Sequence, residues 1–137
     1  MIKTVKEIQD DIIEDMSQHE DWMDKYEYLI SLGKTLPSMD PSLKADTFSV
    51  PGCQNQVWVS VEIQDGKLVI QADSDTYINK GLIVLVLRVL NGRTIDEVNN
   101  TDLYFIRESG LRSNLSPSRT SGLLAFIDHI KNAAQAL

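Results

Sequence analysis

Cys53 is the single cysteine among 137 residues, and its surroundings give it more chemical potential than any other side chain in the sequence. It stands in Val50-Pro51-Gly52-Cys53-Gln54-Asn55-Gln56-Val57-Trp58. Pro51 stiffens the approach, Gly52 permits a backbone bend that side chains resist, and an alternating β pattern starts at Val57. A thiol placed there stands on a tight connection tied to regular structure on one side. Such loops often carry chemistry, because a scaffold fixes their ends while their side chains stay reachable. A glycine-flanked turn can also aim successive backbone N–H groups at an anion, favouring the thiolate, which is the nucleophile. A lone cysteine serves equally as a small buried apolar side chain, so residue type alone leaves both roles open.

The remaining residues narrow the chemistry further. His19 and His129 lie on polar sides of terminal helices without ligand spacing to Cys53, which gives no zinc pattern. No GxGxxG, phosphate loop or serine-nucleophile elbow occurs. With 20 acidic and 13 basic side chains the net charge is −7, so a phosphate backbone is repelled on average and nucleic acid is not an expected partner. The five arginines between Arg88 and Arg119 are interleaved with Asp96, Glu97, Asp102 and Glu108. One cysteine cannot form an intramolecular disulfide, and no apolar stretch reads as a secretion signal. The apolar run Leu82–Leu87 is far shorter than the roughly 20 residues that cross a bilayer. A reducing, cytoplasmic location without membrane insertion is the expectation.

The elements that must position the loop follow from periodicity. Hydrophobic residues make up 42% of the chain, enough for one core, so residues 1–137 are read as a single domain. Thr4 and Glu7 form a capping-box pattern, and Val5, Ile8, Ile12 and Met16 recur at helical spacing, giving a helix over Val5–Ser17. A second helix is expected over Asp21–Leu32, with Trp22, Tyr26, Leu29 and Ile30 inward and Gly33 as a left-handed cap. Met1–Glu27 carries nine carboxylates against three lysines, an acidic solvated face or a docking surface for a basic partner. Prolines 37, 41 and 51 make Lys34–Gly52 irregular, with a short strand near Ala45–Val50. Val57, Val59, Val61 and Ile63, then Asp65-Gly66, then Leu68, Ile70 and Ala72 predict a hairpin over 56–72 with a type I′ turn. Asp73, Ser74 and Asp75 offer caps for a buried helix from about Thr76 to Leu90, with Asp75 as N-cap. Trp58 and Tyr77 are read as packing residues. Helices follow from Thr94, over Asp102–Ser109 closed by Gly110, and from the Ser116-Pro117 cap, where Leu123, Phe126, Ile127 and Ile130 face inward. Strands segregated from helices predict an α+β fold: a small antiparallel sheet of about three strands packed against several helices.

The string VPGCQNQVWV closely resembles the active-site loop of the SufE family. Asp73-Ser74-Asp75 with Lys80-Gly81-Leu82 resembles that family's helix-opening segment after the hairpin. Leu115-Ser116-Pro117-Ser118-Arg119 with Gly122-Leu123 resembles its signature before the last helix. The three strings occur in the family's order between Phe48 and the C-terminus, while Tyr104–Arg112 follows the pattern loosely and the first forty residues agree only as two amphipathic helices.

The resemblance implies the fold shared with the iron–sulfur scaffold proteins, a small antiparallel sheet covered by helices. It implies a carrier rather than a stand-alone enzyme: Cys53 accepts the outer sulfur of a persulfide on a cysteine desulfurase of SufS or CsdA type. The sulfur then passes to a cluster scaffold such as SufB, and turnover of the desulfurase is stimulated. No cofactor is expected on this chain, because pyridoxal phosphate belongs to the desulfurase. Arg119 matches the family's arginine and is the expected cation beside the thiolate, or else a helix-start arginine paired to a carboxylate. Gly52, Gln54 and Gln56 are expected to shape the loop, the glutamines by bonding a persulfide or turn backbone. Asp75 is expected to cap its helix or to border the desulfurase-binding surface. A homodimer is compatible with the family. The competing function is a thiol-based peroxide or redox sensor on the same cysteine, which requires rapid sulfenic-acid formation in the free protein. A plain interaction domain with an inert Cys53 is the third reading, and Cys53→Ala would leave its activity intact.

Overall fold

Thr4 starts the first helix as its sequence predicts. The Glu7 N–H donates to Thr4 Oγ1 (3.1 Å) and the Thr4 N–H donates to Glu7 Oε1 (3.0 Å), opening α1 over Val5–Ser17. The computed structural model describes residues 3–51 and 56–137. Asp21 caps α2 (Trp22–Gly33) by accepting from the Asp24 N–H. After an irregular stretch, β1 (Val57–Gln64) and β2 (Lys67–Ser74) pair antiparallel with Val57 opposite Ser74 and Gln64 opposite Lys67. Asp65 and Gly66 make their turn with φ of 53° and 78°, the doubly positive geometry that an Asp-Gly pair supplies. Helix α3 (Tyr77–Leu90) then runs through the middle of the molecule, with Leu85, Val86, Val89 and Leu90 all fully buried. Short helices α4 (Ile95–Asn100), α5 (Phe105–Glu108) and α6 (Leu111–Asn114) lead to α7 (Pro117–Gln135). Ser116 caps α7, and Leu123, Phe126, Ile127 and Ile130 are its buried stripe. The fold is α+β. No helix among the described residues is long and apolar enough to cross a membrane.

Several local expectations are corrected. Among the described residues the sheet has two strands, not about three. Residues 46–48 form a 3₁₀ turn where the sequence predicts a strand, and that segment meets β1 through the single bridge Ser49–Trp58. Gly33 is the last residue of α2 rather than a left-handed cap. Its missing side chain serves packing: a Cβ there would lie 2.2 Å from the Tyr77 carbonyl oxygen, and one on Gly81 would lie 2.0 Å from that of Leu29. Two glycines on facing helices therefore let α2 and α3 cross backbone to backbone. Thr76, not Asp75, caps α3, because β2 runs on through Ser74 and leaves Thr76 Oγ1 to accept the Asn79 N–H. The helix expected over Asp102–Ser109 shrinks to Phe105–Glu108.

The cause of that last difference is Gln9, a buried amide only 1% exposed on α1. Its Nε2 donates to the Asp102 carbonyl (3.1 Å), and its Oε1 accepts the Phe105 N–H (3.2 Å). Backbone groups that a longer helix would begin to use are held by a side chain 93 or more positions earlier. Gln9→Leu keeps the volume but strands both groups, and a buried polar group without a partner costs roughly 1–3 kcal/mol. Urea unfolding of Gln9→Leu is expected to show a loss of about 2 kcal/mol.

Candidate functional site: the stalk of the cysteine loop

Cys53, Gly52 and Gln54 lie outside the described residues, and a set of backbone and side-chain bonds holds the chain on either side of them. The Val50 N–H donates to the Val57 carbonyl at 2.9 Å, closing the loop at its neck. Just above this bond, Gln56 Nε2 donates to Ser49 Oγ at 2.7 Å. Gln56 thus braces the opposite side of the neck through its amide. Its own carbonyl accepts from the Ser74 hydroxyl at 2.7 Å and from the Asp75 N–H at 3.4 Å. The exit of the loop is therefore bonded to the end of β2.

A chain of polar contacts continues outward from Ser74. Asn79 Nδ2 donates to Ser74 Oγ at 3.3 Å, and Arg119 Nη1 donates to Asn79 Oδ1 at 2.5 Å. Arg119, placed by the first turn of α7, is joined to the neck through Asn79 on α3 and Ser74 on β2. Among the described residues its side chain bonds an amide, so pairing with a carboxylate is not what holds it. Asp75 is exposed beside Ser74 and does not cap α3.

Asp73 forms the second half of the stalk. It is opposite Trp58 in the sheet and only 4% exposed. Lys44 Nζ lies 2.8 Å and Lys80 Nζ 3.7 Å from its carboxylate, while its Oδ1 accepts the Ser74 N–H at 2.8 Å. Burial by itself pushes this carboxyl up. The Lys44 and Ser74 hydrogen bonds and the charge of Lys80 outweigh it and hold the group below its ordinary value. A carboxyl with a depressed folded-state pKa contributes stability above the unfolded value of 3.8, and loses it as pH falls through the folded one. Asp73→Asn keeps the shape and removes the charge. Since both lysines are partly solvated, the expected cost at pH 7 is about 1.5 kcal/mol. The gap between variant and parent should begin to narrow below about pH 4 and go on narrowing as pH falls through the folded-state value, which paired urea titrations at pH 7 and pH 3 will read as a smaller difference at pH 3.

Lysines and aromatic rings alternate around this stalk. Lys44 Nζ stands 5.4 Å from the Trp58 ring centroid, and Lys80 Nζ and Lys34 Nζ stand 5.0 and 5.9 Å from that of Tyr77. Trp58 is partly buried as a packing residue should be, but Tyr77 is 52% exposed. Arg119 and Gln56, singled out in the sequence, stand in the polar chain together with Ser49 and Asn79; sequence reasoning singles out neither of these two, nor Lys34 and Lys44. Only the even positions of β2 give a core signal, and nothing local marks Asp73 as the acid that gathers Lys44 and Lys80.

The comparisons agree with this architecture. The family model for SufE, described as an Fe-S metabolism associated domain, matches residues 10–134. An uncharacterised SufE-like protein of Rhizobium meliloti (strain 1021) is 34% identical over 131 residues, 92% of this chain and 94% of the relative. The sulfur acceptor protein CsdE of Escherichia coli (strain K12) is 39% identical over 111 residues, 80% of this chain and 76% of the relative. The solution structure of a hypothetical protein from Thermus thermophilus superposes with a TM-score of 0.77 at 18% identity, covering 94% of each chain, and so shares the fold. With a loop neck, a buried acid and a helix-start arginine where the family's three strings fall, and a family match over nearly the whole chain, this protein belongs to the SufE family.

Proposed function

We propose that this protein is a sulfur acceptor, taking persulfide sulfur from a pyridoxal-phosphate-dependent cysteine desulfurase onto Cys53 and relaying it to an iron–sulfur cluster scaffold of SufB type in a reducing cytoplasm. The observation that carries the reading is the braced neck at Val50–Val57, which flanks the segment holding the chain's single thiol and is bonded to β2, α3 and, through Asn79, α7. The family match and the sulfur acceptor among the relatives support it.

The exchange balances without any outside oxidant or reductant. Cys53 gives up its proton to solvent, and its thiolate attacks the outer sulfur of the donor's persulfide. A new S–S bond forms on Cys53, the donor's S–S bond breaks, and the donor's cysteine leaves as a thiolate. The charge passes from one sulfur to the other. A nearby cation lowers the cost of carrying that charge on Cys53. Arg119 is the cation assigned to this task, because Asn79 anchors it beside the neck. Relay to the scaffold is the same exchange with Cys53 as the donor, and by clearing the desulfurase's sulfur the acceptor speeds its turnover. The test is an intact-mass spectrum after incubation with free cysteine and a desulfurase encoded in the same genome. A gain of one or more sulfur atoms, removed by a thiol reductant, is the expected result. Absence of any adduct with every such desulfurase overturns the proposal.

A further inference from the structure

We infer that the Lys34–Tyr77–Lys80 face beside the loop neck is the surface on which the sulfur donor docks, and that the donor meets it with an acidic patch. This deepens the proposed function and rests on it.

Three features point to the face. It is in the right place: Tyr77 opens α3 three positions after Ser74, whose hydroxyl bonds Gln56, and Lys34 caps the end of α2 against the same turn of α3. Second, it exposes an aromatic ring at a place where packing supplies no reason for one. Met23, Ile63, Leu124 and Leu137 are the other exposed large apolar side chains among the described residues, and Tyr77 is the aromatic one among them, with two lysines near its ring. Aromatic side chains flanked by polar groups are the usual anchors of protein interfaces. Third, the charge is opposite to that of the molecule. Lys34 and Lys80 on the face and Lys44 and Arg119 at the adjoining stalk stand with Asp73 and Asp75, four positive and two negative for +2, in a protein of −7, which leaves −9 for the rest.

An acidic partner is therefore repelled by most of this protein and attracted to one side of it. Such asymmetry orients an encounter before contact and raises the association rate. The lysines are also partly pre-ordered. Lys80 is held between Asp73 and the Tyr77 ring, and Lys34 lies near the same ring without a carboxylate partner among the described residues. Ordering them before docking leaves less side-chain freedom to lose on binding.

Titration calorimetry of the full-length protein into the cofactor-loaded desulfurase tests the inference. Tyr77→Ala and Lys34→Glu are each expected to weaken binding about tenfold, the size of a single anchor residue. Tyr77→Phe is expected to bind as the parent does, and raising the salt concentration to narrow the gap between the parent and Lys34→Glu. Circular dichroism of each variant separates docking from folding. If the parent takes up sulfur and binds while Tyr77→Ala and Lys34→Glu bind equally well, the docking inference is wrong and the sulfur-acceptor reading stands. If the parent takes up no sulfur, both fall. If Lys34→Glu instead dissolves a dimer of this chain and leaves donor binding unchanged, the face belongs to a second copy and the inference is overturned.

Discussion

Cys53→Ser is expected to gain no sulfur at all from a charged desulfurase and to leave that enzyme at its unassisted rate. The loss should be complete rather than partial, because the chain has no second cysteine to take over. A serine hydroxyl at the same position remains protonated at neutral pH and is a poor nucleophile toward sulfur, whereas a thiol is a few per cent ionised even when unperturbed. The measurement is the intact-mass spectrum of parent and variant side by side, together with sulfide or alanine release by the desulfurase. A sulfur adduct that persists in the variant would show that sulfur is carried elsewhere. Replacing Arg119 separates chemistry from presence, since its removal should slow uptake without abolishing it.

The second large effect belongs to Gly81. Here Gly81→Ala is expected to destabilise the protein by about 3 kcal/mol, at the upper end of ordinary overpacking. The added carbon would meet the Leu29 carbonyl oxygen at 2.0 Å and its carbon at 2.7 Å, far inside van der Waals contact. These are backbone atoms of a helix, so no rotamer change can relieve the clash, and α2 must move off α3 as a body. For a domain of this size the melting temperature should fall by about 10 °C. Gly81→Val should not yield folded protein. A calorimetric midpoint for Gly81→Ala within a degree or two of the parent would show that the two helices are not in direct contact. Gly92→Ala is a useful contrast: a Cβ there has nothing within 4 Å, although its φ of 80° still strains any side chain.

How legible these features are in the sequence depends on how local their causes are. The capping box of Thr4 and Glu7, the Asp65-Gly66 turn and the Ser116-Pro117 start of α7 involve residues within a few positions of each other, and all three can be read directly. Gly33 misleads because a glycine at a helix end satisfies two rules, a left-handed cap and a close crossing. Only the position of Tyr77 in space decides between them. The expected helix from Asp102 loses its first turn to Gln9, a competitor 93 residues away. At the site, family resemblance draws attention to the loop string and Arg119, but nothing in the sequence shows the grouping around Asp73. Its charge suggests a solvent-facing cap, and the lysines that cover it come from an irregular segment and from α3.

A hairpin of two strands ordinarily invites a third, from another copy of itself if no other is at hand. Here part of the free rim of β2 is taken by a turn. The Leu68 N–H donates to the Arg93 carbonyl, the Gly92 N–H to the Leu68 carbonyl, and the Ile70 N–H to the side chain of Asn91. The same residues that let the chain leave α3 thus occupy the outer rim of β2, and Met39 is buried beside the stretch that follows. Along this part of β2 the chain itself takes the place of a further strand, while β1 on the other side meets Ser49 through one bridge among the described residues.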